Sequence, residues 1–176
     1  MYVEMLDCLI DKFFENLGFD EVECFMDLDF AYYDTTKEVS YTLFELPLSD
    51  YGFKKYLMNT YPNIELCSMF TFSLLHELGH YVTWSGISRK NRLKSKKDKR
   101  KVERIKTYTD LDTINKQIAY CGVYEERIAT REAVRILENN REIVKDFEKE
   151  FFDALHKYYD ILLKLPLDTK DRVCYT

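Results

Sequence analysis

Two histidines and a glutamate stand close together in the segment HELGH, at His76, Glu77 and His80. Residues four apart lie one above the other on the same face of an α-helix, so His76 and His80 can direct their imidazoles at one metal ion. Zinc accepts such ligands, and Glu77, about 100° further round the helix, can reach a water on the metal. We therefore expect a zinc site in which Glu77 is the general base.

The element that must position these residues is an apolar segment, residues 64–84, which is long enough to form a buried helix. Leu74, Leu75 and Leu78 cover the sides of this helix that face away from the motif. Two imidazoles and a carboxylate are costly to bury in such a helix unless they bind something. The alternative is an amphipathic helix whose two histidines lie at the surface or are satisfied without a metal.

Two segments, FTFSLLHELGHYVT and YEERIATREAV, resemble the zincin metallopeptidases. The likeness is to the gluzincin-like branch that includes small phage and mobile-element proteins and the ImmA/IrrE group. This resemblance implies a Zn²⁺ cofactor and a third ligand on a later helix, commonly a glutamate in a Glu-x-x-small-Asp/Thr pattern, which the residues from Glu126 to Thr130 match. No further histidine that could ligate the metal follows HELGH closely, which disfavours the metzincin class.

The choice of Glu126 as third ligand has a geometric reason of its own. The residues three, four and seven positions after it share its helix face and permit close helix approach: Ala129, Thr130 and Ala133. Thr130 could also hydrogen-bond a metal ligand and so fix its orientation. Glu132 is the main rival, because Glu132-Ala133-Val134 resembles the Glu-Ala-Asp version found in the ImmA group but lacks the Asp. Glu125 is a further alternative.

Two histidines, one glutamate and a water would give a tetrahedral zinc ion with one exchangeable position. Zinc lowers the pKa of its bound water to about 7, so Glu77 could take a proton from that water. The resulting hydroxide would attack a peptide carbonyl, and Glu77 would pass the proton to the leaving amine. Three side chains are candidates for stabilising the oxyanion: Tyr120, Tyr124 and His156. By the same resemblance, residues 39–46 could hold an extended peptide by strand addition, although an ordinary hairpin explains them equally well.

The other elements follow from periodicity and turn residues. An alternating strand is predicted over residues 21–32, a turn over 34–37, and a second strand from residue 39 that returns antiparallel as a hairpin. Further helices are predicted at 3–17, about 49–59, 124–139 and 141–165. This order predicts an α+β fold: a mostly helical, zincin-like single domain over residues 1–176, with a small antiparallel sheet before the HELGH helix.

Composition favours one domain in a reducing compartment. A chain of 176 residues with 46% hydrophobic residues can fill a sizeable core, and a formal charge of -5 is not typical of a general nucleic-acid binder. Five scattered cysteines without a CxxC pair suggest neither disulfides nor a thiolate zinc site. With no signal-peptide profile and no apolar run long enough to span a membrane, we expect a cytoplasmic protein.

The stretch from 88 to 106 reverses the charge of the chain locally. It holds eleven basic and two acidic residues and almost no apolar ones, so we expect a solvated or disordered insertion. An electrostatic contact to nucleic acid or to an acidic partner protein is the alternative. Because no aromatic residues interleave with the basic ones, nucleic-acid binding through this stretch should be weak, non-specific and salt-dependent.

Two classes of function are therefore open. The first is a zinc metalloendopeptidase that cleaves a specific protein substrate, and the resemblance to phage and mobile-element proteins implies that this substrate is a regulator. The second is a non-catalytic, zincin-like binding module that engages a host or regulatory protein, or DNA through the basic stretch. In the first, HELGH forms a catalytic zinc site, and in the second its metal is structural or absent.

Overall fold

The computed structural model of the chain describes residues 2–43 and 47–164. Within these ranges the chain forms seven helices and three short strands. In chain order they are α1 (Tyr2–Asn16), β1 (Glu23–Met26), β2 (Ala31–Tyr33), β3 (Glu38–Tyr41), α2 (Pro47–Thr60), α3 (Met69–Trp84), α4 (Arg89–Glu103), α5 (Asp110–Cys121), α6 (Tyr124–Asn139) and α7 (Arg141–Lys164). The predicted mostly helical α+β fold is confirmed.

The sheet is mixed, which corrects the predicted antiparallel sheet. Its strand order is β1-β3-β2, with β3 parallel to β1 and antiparallel to β2. The predicted single strand over 21–32 is divided, because the Asp27 carboxylate accepts a hydrogen bond from Leu28 N and Ser40 Oγ donates to the Asp29 carbonyl, which together turn the chain between β1 and β2. The hairpin therefore joins β2 to β3, with Lys37 in the left-handed region at φ 59°.

The position of β3 at the centre of the sheet changes the expectation for residues 39–46. Both edges of Glu38–Tyr41 are already paired, so this strand cannot accept a peptide by strand addition. Residues 44–46 lie outside the described residues. The free edge near α3 belongs to β2 instead.

The core is built from paired helices and stacked aromatic rings. α3 lies against α6, α1 against α7 and α2 against α5. Phe13 stacks on Phe147 with ring centroids 4.0 Å apart, and Phe70 stacks on Phe151 at 4.6 Å. These contacts fix the first half of α7 relative to α1 and to the start of α3, and so hold the helices around the HELGH segment.

The close approach of α3 and α6 depends on small residues, as the sequence predicted. Ala129, Thr130 and Ala133 are fully buried on the face of α6 that meets α3. On α3, a Cβ placed on Gly79 would lie 2.2 Å from the carbonyl oxygen of Ala129, well inside van der Waals contact. No residue larger than glycine fits at this point, so Gly79 sets the distance between the two helices.

Several helix limits follow from caps that the periodicity did not reveal. α3 begins at Met69, later than predicted, because Ser68 is its N-cap and its side chain accepts a hydrogen bond from Thr71 N. α5 was not predicted, although Thr109 and Asp112 form a reciprocal capping box at its start. Among the described residues, no helix has the length and apolar character needed to cross a membrane.

The basic stretch forms a helix, so of the two expectations, solvated or disordered, only the solvated one agrees with the structure. Ser88 caps its first turn, and α4 packs against α5 and α6. Arg92 donates to the carbonyls of Trp84 (2.5 Å) and Ile87 (3.2 Å) and lies over the Trp84 ring, which pins α4 to the end of α3. Most side chains of α4 remain exposed, so only one face of the helix docks.

Candidate metal centre

Helix α3 presents both histidines of HELGH on its inner face, as their four-residue spacing requires. His76 is 7% exposed and the His80 side chain is 11% exposed. The ring centroids are 4.8 Å apart. Phe53 of α2 meets the His76 ring edge-to-face at 5.2 Å and closes that side of the imidazole from water.

Glu126 of α6 reaches both imidazoles with a single carboxylate oxygen. Its Oε2 lies 3.1 Å from His76 Nε2 and 3.3 Å from His80 Nε2. The sequence-based choice of Glu126 over its neighbours thus agrees with the geometry. These three side chains are buried and offer ligand atoms that all lie within 4.8 Å of one another, so the group could hold a metal ion.

Two of the ligand-atom distances are compatible with a small metal ion between these side chains. Ligand atoms bound at about 2.0–2.1 Å to a tetrahedral zinc lie about 3.3 Å from one another. The two nitrogen-to-oxygen distances of 3.1 and 3.3 Å already have this spacing. A donor set with two imidazole nitrogens and one carboxylate oxygen binds a transition metal such as zinc in preference to magnesium or calcium.

The charges around the group also favour a divalent cation. Glu77, Glu125 and Glu126 are all buried, and the cation beside them is Lys99. When the carboxylates are ionised and the imidazoles neutral, two negative charges remain uncompensated, a costly state in a buried site. A divalent metal ion would balance them.

Thr130 connects the two helices at the site. Its hydroxyl donates to the Glu126 carbonyl at 2.8 Å, one turn earlier in α6, and its Oγ1 lies 3.2 Å from His76 Nδ1. Because the hydroxyl proton is used on the carbonyl, the oxygen accepts from Nδ1–H of His76. That hydrogen bond orients the ring. If a metal ion takes the place of the proton between Nε2 and Glu126, Nδ1–H keeps its acceptor and the Nε2 lone pair is free to bind the metal.

Glu77 lies beside the group without joining it. It is 8% exposed, lines the same cavity as His76 and His80, and is not one of the three clustered ligands. Burial raises its pKa, and the charge of Glu126 adds to that rise, while the neighbouring imidazoles oppose it. A carboxylate with a raised pKa is a stronger base than an exposed one, which suits proton transfer from water.

The pKa values of the ligands show how strongly they interact. Burial opposes ionisation of Glu126, but the hydrogen bonds from His76 and His80 outweigh it and hold its pKa well below the ordinary value. Burial also acts against protonated His80, yet the hydrogen bond and charge of Glu126 raise the pKa of that imidazole. A proton on His80 therefore does, in part, what a bound cation would do.

Comparison with protein-family models, with curated proteins and with solved structures finds no match for this chain. Function is therefore inferred from the side chains of the site and from the cavity into which they project. The cavity has a volume of about 590 Å³. Its walls come from α3 and α6, from α2, α4 and α5, and from residues 29–32, which include the start of the edge strand β2.

The rival ligands lie outside the metal group. Glu132 is partly buried, with its side chain 15% exposed, and it pairs with Arg135 at 2.7 Å and with Arg131 at 3.5 Å. Glu125 does face the cavity, but its Oε2 pairs with Lys99 at 3.3 Å and is not clustered with the histidines.

Of the three side chains considered for oxyanion stabilisation, Tyr120 is the one at the cavity. Tyr124 is the first residue of α6, where Arg127 packs 5.8 Å from its ring, and His156 is exposed on α7. Neither lines the cavity, so the structure does not bring Tyr124 or His156 to the metal group. Tyr124 precedes Glu126 by two residues, so it projects from nearly the opposite side of the helix.

Lys99 is the residue at this site that the sequence did not reveal. Its Nζ lies 2.5 Å from Glu126 Oε1 and 5.6 Å from the centroid of the Tyr120 ring. Burial acts to lower its pKa, but the charges of Glu126 and its neighbours raise it, so the amine stays protonated. The spacing of Arg92, Ser95 and Lys99 on one helix face was the available signal.

Proposed function

We propose that this chain is a zinc-dependent metallopeptidase that hydrolyses peptide bonds of a protein substrate, with Glu77 as the general base. The observation that carries the proposal is the convergence of Glu126 on His76 and His80 beside a buried Glu77. In the zincins that the HELGH segment resembles, the same residue types hold zinc. A bound zinc ion supplies a Lewis acid that acidifies water and polarises a carbonyl.

Three protein ligands leave one coordination position for water or substrate, the pattern of catalytic rather than structural zinc sites. His76 and His80 would donate from Nε2, and Glu126 from Oε2. Glu77 would take a proton from the attacking water and return it to the leaving amine. Its buried position keeps bulk water from competing for that proton.

Tyr120 is suited to stabilise the oxyanion. Burial, with the charge of Glu126, raises its pKa to about 12, so its hydroxyl remains protonated at neutral pH and can donate a hydrogen bond. The ring lines the cavity opposite the histidines' helix, on α5. Phenol donors of this kind act where negative charge develops on a carbonyl oxygen.

The substrate would bind as an extended strand along β2. Among the described residues this strand pairs with β3 alone, and residues 29–32 form one wall of the cavity. Added main-chain hydrogen bonds would hold a peptide beside α3 with little dependence on its sequence. We place this activity in the cytoplasm, because the four cysteines that the structure describes are free thiols.

Proteolysis with matched variants tests the proposal. The zinc-loaded protein is incubated with a library of denatured protein fragments, and new termini are identified by mass spectrometry. Glu77→Gln should bind zinc but lose cleavage, whereas Glu132→Gln, which changes a glutamate of α6 outside the metal group, should cleave like the wild type. Equal cleavage by Glu77→Gln, or cleavage unaffected by a zinc chelator, would exclude the mechanism.

A second candidate function is binding of nucleic acid, which the outer face of α4 favours. The exposed basic side chains there include Lys90, Lys94, Lys97, Arg100 and Lys101, and Arg104 at the C-cap extends the set. Among the described residues, Lys101 alone of these forms an ion pair, with Asp98. A polyanion could neutralise such a face, with an affinity that falls steeply as salt rises.

Charge reversal tests this second function without disturbing the metal group. Lys94→Glu, Lys97→Glu and Arg100→Glu together should abolish retention of duplex DNA at low salt, and zinc content should not change. Retention that survives the triple change would exclude the function. Binding to an acidic polypeptide but not to DNA would point instead to a protein partner.

A further inference from the structure

The two oxygens of Glu126 have different partners. Oε2 faces the imidazoles of His76 and His80, while Oε1 accepts a hydrogen bond from Lys99 Nζ at 2.5 Å. From this division we propose that Lys99 is a positioning residue, which holds the Glu126 carboxylate so that one oxygen is presented to the metal. This inference rests on the metal site of the proposed function. It means that α4, which carries Lys99, helps to shape that site.

A glutamate needs such a partner more than a histidine does. Its side chain has three rotatable bonds, and a free carboxylate can offer either oxygen or both. Partners outside the ligand set restrict these choices, and their loss typically lowers metal affinity by about 10–100-fold. Thr130 orients His76 in this way, and Lys99 is the corresponding contact for Glu126.

Lys99 is itself held in place by the docked face of α4. Arg92, two turns earlier on the same face, donates to the carbonyl of Trp84 at the end of α3 and stacks over its ring. Ser95, one turn before Lys99, is fully buried against the neighbouring helices. The ammonium is then enclosed by Glu125 at 3.3 Å and by the Tyr120 ring.

Charge alone predicts the opposite effect from positioning, so the two can be separated. A lysine ammonium repels a divalent cation nearby, and removing that charge should strengthen metal binding if Lys99 acts only through its field. If Lys99 orients Glu126, its removal should weaken binding instead. The sign of the change in zinc affinity on mutation therefore decides between the two roles.

Zinc affinity of the full chain is measured by competition with a chromophoric chelator, for the wild type, Lys99→Met, Lys99→Arg and Lys97→Met. We expect Lys99→Met to lose about 10–100-fold in affinity and Lys99→Arg to recover most of that loss, because it keeps a charged donor. Lys97→Met, an exposed lysine on the outer face of α4, should match the wild type. The absorption spectrum of the cobalt-substituted protein should change for Lys99→Met alone.

Zinc affinity of Lys99→Met equal to or tighter than that of the wild type would overturn the inference. If Lys99→Met does not fold, as judged by its circular dichroism, Lys99→Gln takes its place with the same expected loss. A wild type that binds no zinc would overturn the proposed function, and this inference with it. A wild type that binds zinc, with no loss on mutation of Lys99, would overturn only the positioning role.

Discussion

The Oγ1 of Thr130 lies 3.2 Å from Nδ1 of His76 and joins the two helices that carry the metal ligands. The same hydroxyl donates to the carbonyl of Glu126 at 2.8 Å. One side chain therefore touches the first histidine of the HELGH motif and the backbone of the third ligand. The orientation of His76 depends on α6 as much as on its own helix.

Replacing this threonine should weaken metal binding without removing any ligand. Thr130→Val keeps the shape of the side chain but leaves Nδ1–H of His76 without its acceptor, so we expect zinc affinity to fall by about 10-fold or more. Thr130→Ser keeps the hydroxyl and should retain most of the affinity. Chelator competition measures both, and equal affinity for the valine and serine variants would contradict the role of this hydroxyl.

The identity of the third ligand can be tested with two glutamates of the same helix. Glu126→Gln removes the anionic oxygen between the histidines and should reduce zinc affinity by at least about 100-fold. Glu132→Gln changes a partly buried residue that pairs with Arg135 and lies outside the metal group, so it should leave zinc affinity unchanged. Zinc content after dialysis distinguishes the two, and retention of zinc by Glu126→Gln would require another ligand.

The contact between α3 and α6 should tolerate no side chain at position 79. A Cβ there would lie 2.2 Å from the Ala129 carbonyl oxygen, so Gly79→Ala must push the helices apart, at a cost of about 1–3 kcal/mol. For a chain of this size we expect the melting temperature to fall by about 2–10 °C. Gly86→Ala, whose Cβ would meet nothing closer than 3.6 Å, is the control. A Gly79→Ala variant as stable as this control would show that the helices are free to move.

In the metal-free protein, His80 and Glu126 should stabilise the fold only within a window of pH. The pKa of His80 is raised above 6.5 by Glu126 despite burial, so its contribution is complete below that pH and is lost as pH rises through the raised value. The pKa of Glu126 is well below 4.5, because the histidines outweigh its burial, so its contribution is complete above that pH and is lost on acidification.

The stability difference between the wild type and Glu126→Gln should therefore be largest between about pH 4.5 and 6.5. Melting temperatures of both proteins in the presence of a chelator, from about pH 3 to 9, measure this difference. A difference that is largest at the alkaline end would contradict the pairing of His80 with Glu126.

The central part of the site could be predicted because local patterns specify it. The four-residue spacing of His76 and His80 holds on any helix, and the small residues after Glu126 identified the face of α6 that meets α3. The helix over residues 124–139 agrees with the observed α6. Its amphipathic pattern is strong, and no long-range contact is needed to recognise it.

The parts that were missed depend on tertiary contacts. The pairing of β1 with β3 in parallel skips the intervening strand β2, and alternation of residues carries no sign of strand order. Helix α4 packs against its neighbours through the polar residues Arg92, Ser95 and Lys99. Because it has no apolar face, a hydrophobic pattern does not predict that it packs. The choice between Tyr120 and Tyr124 depends on the turn between α5 and α6.

The most direct test of the metal centre is anomalous diffraction at the zinc absorption edge, from crystals of the zinc-loaded full chain. We expect a single zinc ion bound by His76 Nε2, His80 Nε2 and one oxygen of Glu126, with its fourth position open to water. An ion bound elsewhere, a fourth protein ligand closing the site, or no anomalous peak between α3 and α6 would contradict a catalytic zinc centre in this protein.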